Sequence, residues 1–535
     1  MADAAGLTRR ARLAGGAVAA LLLFASFPQP VFGTVVDAGP WLAWLAPVAV
    51  VLVLRGLPLK AATLAGGAVF WVGYTAILHW IYVVTVHYGH AHPLIGVVAP
   101  IGLALYIAAF GAAFGAGFAW LSARGLASAW TLALLWTLLE HGRSFVLTGF
   151  PWASLGYAQH GNAWLLGLAS FTGVYGLSFV TALGGLAAAE WAQARRAGRA
   201  TGRGTWAALA CVVAAHGLAA FAPGPTPSDE VVRVGVVQGN VDQGDKWDAA
   251  FRERTLADYE SLTRQAAAAG AAIIAWPETA VPGGVESDPR LEQRLARLAR
   301  ETRAVLVVGA VGLAFSETGR PSRFYDSAFV FDPTGQRIDR YDKTHLVPFG
   351  EYVPFQALIG RFLSAVARGI ATTGVTPGER PRAIEVELAD GRPVRIGVPI
   401  CYELLFPSLV REFVRDGSQL LLGITNDAWY GRTGAPYQFL AITALRSVET
   451  GVWLGRAANT GVSAFVDARG GVHQPTPIFE SAWRVHDVPL HASPAAATFY
   501  TTFGPVFVGT AWLAALGVVA FGLRRGKTEV RSSAE

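Results

Sequence analysis

The chain of 535 residues is longer than one typical domain, 53% of it is hydrophobic and its mean hydropathy is +0.40, which argues against an ordinary soluble protein and for a membrane component. Only two cysteines occur, Cys211 and Cys401, far apart in sequence, so no disulfide framework is implied and Cys401 is available as a free thiol. The net charge of +6 is uneven: residues 1–225 hold eleven Lys and Arg against four acids while the remainder is near neutral, so the basic surplus reads as a topology signal and not as a nucleic-acid surface.

Seven apolar runs fill the first 225 residues, near 13–30, 39–54, 62–84, 95–121, 126–148, 165–190 and 205–222, and an eighth lies near 503–523. Each is close to the ~20 residues that a spanning helix needs. The first has an Arg-rich flank like a signal peptide but no A-x-A pattern, and it reads as a retained helix. With a cytoplasmic N-terminus, Arg9, Arg10 and Arg12, then Arg55 and Lys60, then Arg124, then Arg195, Arg196, Arg199 and Arg203, and finally Arg524, Arg525, Lys527 and Arg531 all fall on one side. The opposite short loops carry no Lys or Arg. This positive-inside pattern puts the long polar region between the seventh and eighth runs outside the cytoplasm.

Glu140 and Arg143, three residues apart near the end of the fifth run, share a helix face. Either they face a protein interior or polar cavity, or they anchor the helix end at the interface. The LTGFPW stretch, Leu147 to Trp152, reads as an interfacial turn with an aromatic anchor. His87, His90 and His92 follow the third run; a solvated polar loop fits them better than a metal site, because no nearby Cys, Asp or Glu completes a ligand set. His216 reads as a helix-packing residue.

A Pro-, Gly- and Ser-bearing linker, Pro223 to Asp229, opens the polar region. Strand patterns follow at Val231–Gly239, Ala271–Glu278, Ala304–Val311, Ser327–Asp332, Ala383–Glu387, Arg395–Cys401, Gln419–Asn426, Val452–Ala457 and Ser463–Asp467, with helical patterns at Arg252–Ala269 and Arg290–Thr302. The alternation predicts one α/β domain whose short apolar strands are covered by helices on at least one face.

Three strand ends carry reactive side chains. AAIIAWPETA delivers Glu278, RYDKTHLVPFGEYVP delivers Lys343 and then Glu351, and RIGVPICYELLFP delivers Cys401 at a strand-to-helix elbow, where backbone N–H groups favour thiolate and can bind an oxyanion. Taken singly, Glu278 also fits a cap, Lys343 a surface ammonium and Cys401 a core thiol. Together they offer a base, a fixed cation and a nucleophile at ends that converge on one edge of an α/β domain.

WPETA, YDKTHLVPFGEYVP, GVPICYELLFP and ITNDAWYG resemble the nitrilase superfamily with its Glu-Lys-Cys triad, and with LTGFPW and eight spans the whole chain resembles the apolipoprotein N-acyltransferase family. That resemblance implies an α/β nitrilase-like α-β-β-α sandwich inserted in an eight-helix transmembrane bundle. It would comprise a seven-helix region over 1–223, a periplasmic catalytic domain over 224–500, and a final helix with a basic cytoplasmic tail over 501–535. By position it implies Glu278 as general base, Lys343 as oxyanion-stabilising lysine and Cys401 as acyl-accepting nucleophile. Glu351 and Glu403 match two further acids, Tyr402 the residue after the nucleophile, and Trp247 a tryptophan in a mobile loop. It implies no metal and no cofactor. The expected partners are a phospholipid acyl donor and a diacylglyceryl apolipoprotein acceptor, met at the bacterial inner membrane. Asp326 departs from the family's pattern, where Asn is common, as does the histidine-rich loop around His90. Two rivals stay open: a membrane-anchored amidase or nitrile hydrolase with water as acceptor, and a transporter or scaffold with an inactive soluble domain.

Overall fold

A computed structural model describes residues 8–222, 227–244, 246, 249–352, 374–491 and 498–532. The apolar runs form helices at Arg9–Ala25, Ala46–Leu54, Leu59–Ile77, Pro93–Ala123, Ala129–Gly142, Val174–Arg196, Arg203–Ala220 and Val506–Ser532. Among the described residues, the stretches Leu59–Trp80, Pro93–Ala123 and Val506–Arg525 are long and apolar enough to cross a membrane. The others are shorter, interrupted or, like the 23-residue Val174–Arg196, less apolar. The second run breaks between a Gly39–Leu42 turn and the Ala46–Leu54 helix. The fifth ends at Gly142, before a turn in which Leu147, Thr148 and Gly149 all take positive φ. The sixth starts cleanly only at Val174, after Gly173 at φ 67°.

The outward faces of these helices are apolar: Leu13, Leu64, Val98, Val213 and Leu513 are each 62–72% exposed, a surface suited to lipid and costly in water. Glu140 and Arg143, by contrast, are buried and take separate partners. Glu140 accepts from Trp136 Nε1 at 2.9 Å, from the Leu155 N–H at 2.8 Å and from Ser178 Oγ at 2.6 Å. Arg143 donates to Ser154 Oγ at 3.0 Å and lies over the Tyr74 ring. This is the interior reading of the pair, without the mutual contact that their spacing suggests. His92 accepts from the Leu94 N–H and caps the Pro93–Ala123 helix, while His87, His90 and His92 are exposed. His216 stacks on Trp44.

Two sheets follow. One contains Pro227–Gln238, Ile273–Ala275, Val305–Phe315, Pro321–Phe331, Arg337–Asp342 and Ala482–His491, with Val281–Gly284 on Val305–Phe315; the other contains Ala383–Glu387, Pro393–Gly397, Leu420–Thr425, Leu454–Ala458, Ala464–Val466 and Val472–His473. Side-chain alternation separates the layers. Val236, Ile273, Ala275, Val305 and Val307 point between the sheets, into one core with Ile396, Leu420, Leu422 and Leu454. Their neighbours Val237, Ile274, Trp276, Leu306 and Val308 point the other way, onto the Ala249–Ala268 and Pro289–Thr302 helices. Beyond the second sheet lie Pro407–Arg415 and Ala435–Thr450. The result is an α-β-β-α layering.

Ala435–Thr450 is also the seam to the membrane-side helices, which explains why nearly all of it is buried. Gln438 accepts from Trp152 Nε1 at 2.8 Å, and Glu449 accepts from the Val174 N–H at 2.8 Å. Trp152, the predicted interfacial anchor, is thus a buried contact between the helices and the sandwich.

Candidate active site

The parallel strands Ile273–Ala275, Pro393–Gly397 and Leu420–Thr425 bring Glu278, Cys401 and Asn426 to one edge, and the end of Arg337–Asp342 brings Lys343. Ile400 still bridges Ile424 when the chain turns sharply: Cys401 has φ 48° and opens the short 3-10 helix Cys401–Leu405. Positive φ in a residue with a side chain costs of order 1 kcal/mol, and it aims the thiol out of the strand plane. Glu403 holds that turn. Its Oε2 accepts from the Ile400 N–H at 2.8 Å, and its Oε1 accepts from Tyr341 Oη and from Thr344 N and Oγ1, each at 2.7 Å. One carboxylate therefore locks the cysteine elbow to the chain that leaves Lys343.

Lys343 is wholly buried, and its ammonium donates to three carboxyl groups: Glu278 Oε1 at 3.0 Å, Asp326 Oδ2 at 3.2 Å and Glu351 Oε1 at 2.6 Å. The three acids lie close enough together to suggest a cation site, and the ammonium is the cation among them. Glu351 is fixed in turn by the Val347 N–H at 2.8 Å. Glu278 Oε2 accepts from the Asn426 N–H at 2.8 Å, and the Cys401 thiol lies beside the same carboxylate.

These contacts set the charges. Burial pushes the Glu278 carboxyl up, but the Lys343 charge and hydrogen bonds from Asp326, Lys343 and Cys401 outweigh it and hold Glu278 below the ordinary range. Burial and the neighbouring Glu278 charge push Asp326 well up, so of these two acids Asp326 is the one that favours its protonated form. Burial and the Glu278 charge also raise the Cys401 thiol, against the pull of Lys343. This corrects the expectation of a resting thiolate at the helix start. The thiol is neutral and lies beside an ionised carboxylate, which can take its proton as the sulfur attacks.

Tyr402 points toward the membrane-side helices and donates to the Gly149 carbonyl at 2.9 Å, so the LTGFPW turn forms part of the wall beside the cysteine. Trp247 lies outside the described residues. The structure brings together Glu278, Lys343, Cys401 and Glu351, sets Glu403 behind the elbow and Tyr402 at the wall. It adds three residues that the motifs did not single out for the site, or only as a departure: Asp326, Asn426 and Lys246. Lys246 is 1% exposed and donates to the Glu278 carbonyl at 3.2 Å and to Thr279 Oγ1 at 2.6 Å. A lysine inside a Gly- and Asp-rich stretch looks like a solvated charge, so only the fold exposes its burial.

Residues 233–492 match the family model described as carbon-nitrogen hydrolase, and residues 19–187 match the apolipoprotein N-acyltransferase N-terminal domain. The apolipoprotein N-acyltransferase of Geobacter metallireducens is 37% identical over 533 residues, 94% of each chain. That of Nitrosomonas europaea is 32% identical over 498 residues, 90% of this chain and 93% of the relative. Among solved structures, an amidase from Nesterenkonia sp. is similar over 50% of this chain and 94% of its own, with 21% identity and a TM-score of 0.37.

Proposed function

The chain belongs to the apolipoprotein N-acyltransferase family, and from that premise we propose that it transfers an acyl chain from a membrane phospholipid to the α-amino group of a diacylglyceryl-modified N-terminal cysteine, through a thioester on Cys401. The observation that carries this reading is the buried Cys401 thiol at its strained elbow beside the Glu278 carboxylate, which Lys343 and Asn426 hold, with a wall contributed by the N-terminal helices. In the first step Glu278 takes the thiol proton as sulfur bonds to the ester carbonyl carbon. Lys343 and backbone N–H groups at the elbow offset the charge on the carbonyl oxygen. The C–O ester bond then breaks, and Glu278 returns the proton to the departing lysophospholipid oxygen. In the second step the acceptor amine attacks the thioester, Glu278 takes the amine proton, and the C–S bond breaks. That proton returns to sulfur, leaving an amide and the free thiol.

Two bulky lipids use one site in turn because a thioester stores the acyl group between them. Placement at a membrane suits both substrates, whose ester and diacylglyceryl groups lie at the lipid surface. We place the seven helices of 1–223 and the final helix of 501–535 across the bacterial inner membrane, with 224–500 on the periplasmic side. The one-sided distribution of Arg and Lys and the exposed apolar helix faces support this arrangement. Purified protein given phospholipid and a diacylglyceryl lipopeptide should yield triacyl lipopeptide and lysophospholipid in equal amounts. Release of free fatty acid without lipopeptide acylation would instead mark a hydrolase.

Asp326 supplies a finer test. A protonated Asp and an Asn present the same shape, with a donor toward Glu278 and an acceptor for Lys343. Asp326→Asn is therefore expected to keep kcat within about threefold of wild type, whereas Asp326→Ala, which leaves a Lys343 N–H unpaired, should lose on the order of tenfold or more. Equal kcat values for the two variants would contradict a protonated Asp326 at this position.

A further inference from the structure

We propose that Lys246 is a second cation of this site, a positioning residue that pins the Glu278 turn and offsets the negative charge that grows around Cys401 during acylation. The proposal rests on the acyl-transfer reading above and assigns it a residue that the Glu-Lys-Cys pattern does not contain.

A donor count leads to it. An ammonium has three N–H donors, and those of Lys343 all go to carboxyl groups, at 3.0, 3.2 and 2.6 Å. Lys343 can serve a developing oxyanion only by loosening one of these. Among the described residues, Lys246 spends two donors, one on the Glu278 carbonyl and one on Thr279 Oγ1, and keeps a third. The site's charges agree. Three carboxyl groups, Glu278, Asp326 and Glu351, share the single ammonium of Lys343, and Lys246 brings a second positive charge to the Glu278 turn before Cys401 begins to ionise.

The segment bearing Lys246 is built into the sandwich. The Asn240 N–H donates to the Asn459 carbonyl at 2.9 Å and the Val241 N–H to Asn459 Oδ1 at 2.9 Å. Asn426 Nδ2 donates to Gln243 Oε1 at 2.6 Å, and the Lys246 N–H donates to the Asp242 carbonyl at 3.0 Å. Asn426 thus ties this segment to the same Glu278 carboxylate that it caps through its own N–H. Thr279 has φ 45°, so the turn that carries Glu278 is strained and gains from the two bonds that Lys246 gives it.

The groups that face the Lys246 charge are the Glu278 carboxylate, which favours it, Asp326 and Cys401, which favour it once ionised, and Lys343 beyond the carboxyls. Burial outweighs them and pulls the ammonium down to about 8. Lys246 is therefore charged at neutral pH and loses its charge as pH rises through about 8, and with it the support for acylation.

The test uses the full chain in detergent with mixed micelles of a dipalmitoyl phospholipid, and reads the rate of thioester formation on Cys401 from about pH 6 to about pH 10. The wild-type rate should fall above about 8; Lys246→Arg, which stays charged, should move that alkaline limb upward, and Lys246→Met should lower kcat on the order of 10²-fold with little change in KM. A Lys246→Met rate equal to wild type, or the same alkaline limb in wild type and Lys246→Arg, overturns the proposal. If the wild type forms no thioester, the acyl-transfer reading fails on its own, and alkylation of Cys401 by iodoacetamide still decides the role of Lys246. The half-point of alkylation against pH should lie higher in Lys246→Met than in wild type. Coincident half-points, in Lys246→Arg-matched preparations that alkylate normally, overturn it.

Discussion

Cys401→Ala is expected to abolish acyl transfer, with a loss of at least about 10⁴-fold in kcat, while the protein stays folded. No neighbouring group can replace the sulfur: Lys343 is bonded to three carboxyls, and Glu278 is held by Lys343 and Asn426. The fold tolerates the change because alanine keeps the Cβ at the φ 48° elbow and removes one buried atom, at a cost of about 1 kcal/mol. Glu403 continues to hold Ile400 and Thr344 on either side. Cys401→Ser is the sharper control. Its hydroxyl occupies the same place, but it is a far weaker nucleophile at neutral pH and its oxyester would pass the acyl group to an amine more slowly. An unchanged unfolding midpoint with no transfer is the expected pair of results for both variants.

Lys343→Met should be nearly as damaging to activity and more damaging to the fold. Removing the ammonium leaves three acids crowded in a buried site, and breaking one side of such a cluster costs about 3–5 kcal/mol. The cluster then relieves itself by taking up a proton. In the wild type Glu278 is held low, so its contribution is present at neutral pH and is lost only as pH falls through its depressed value. Without Lys343 that depression goes, Glu278 is protonated at higher pH, and both base and oxyanion support are lost together. The expected result is a drop on the order of 10³-fold in kcat, with the residual rate rising toward alkaline pH. Lys343→Arg should not rescue it, since a planar guanidinium cannot replace a point charge in a closed pocket already fitted to three acceptors. A pH profile parallel to wild type would contradict this account of Glu278.

Much of the site was legible because each reactive residue closes a short local pattern. Glu278 and Cys401 stand just beyond strands whose apolar, β-branched runs are visible in the sequence, whereas Lys343 is marked by its motif, YDKTHLVPFGEYVP, and not by the strand before it. What escaped depends on distant partners. Lys246 has no periodic signal, and it becomes a buried cation only because the fold brings it to Thr279, 33 residues on. The strand Ala482–His491 carries Trp483, Arg484, His486, Asp487 and Pro489 and pairs with Pro227–Gln238 across about half the chain, so its strand character comes from that partner and not from local propensity. Ala435–Thr450 is buried on all sides between sheet and membrane-side helices, and it therefore lacks the one-sided apolar stripe that marks a surface helix. Arg337–Asp342, a charged edge strand with the sequence RIDRYD, hides for the opposite reason.

The same dependence on context separates the thiol from its first reading. A helix start lowers a thiol's pKa when it is exposed, but here burial and the Glu278 charge win and favour the protonated Cys401. A neutral resting thiol is protected from stray oxidation and alkylation, and in the proposed route it would become a nucleophile only in concert with proton transfer to Glu278.

The most direct test is a mass measurement on the peptide containing Cys401. After incubation with phospholipid alone, that peptide should carry one acyl group as a thioester, and a diacylglyceryl lipopeptide should remove it while becoming triacylated in equal amount. Triacylation that proceeds with no acyl group ever found on Cys401, or that persists in Cys401→Ala, would contradict the thioester route.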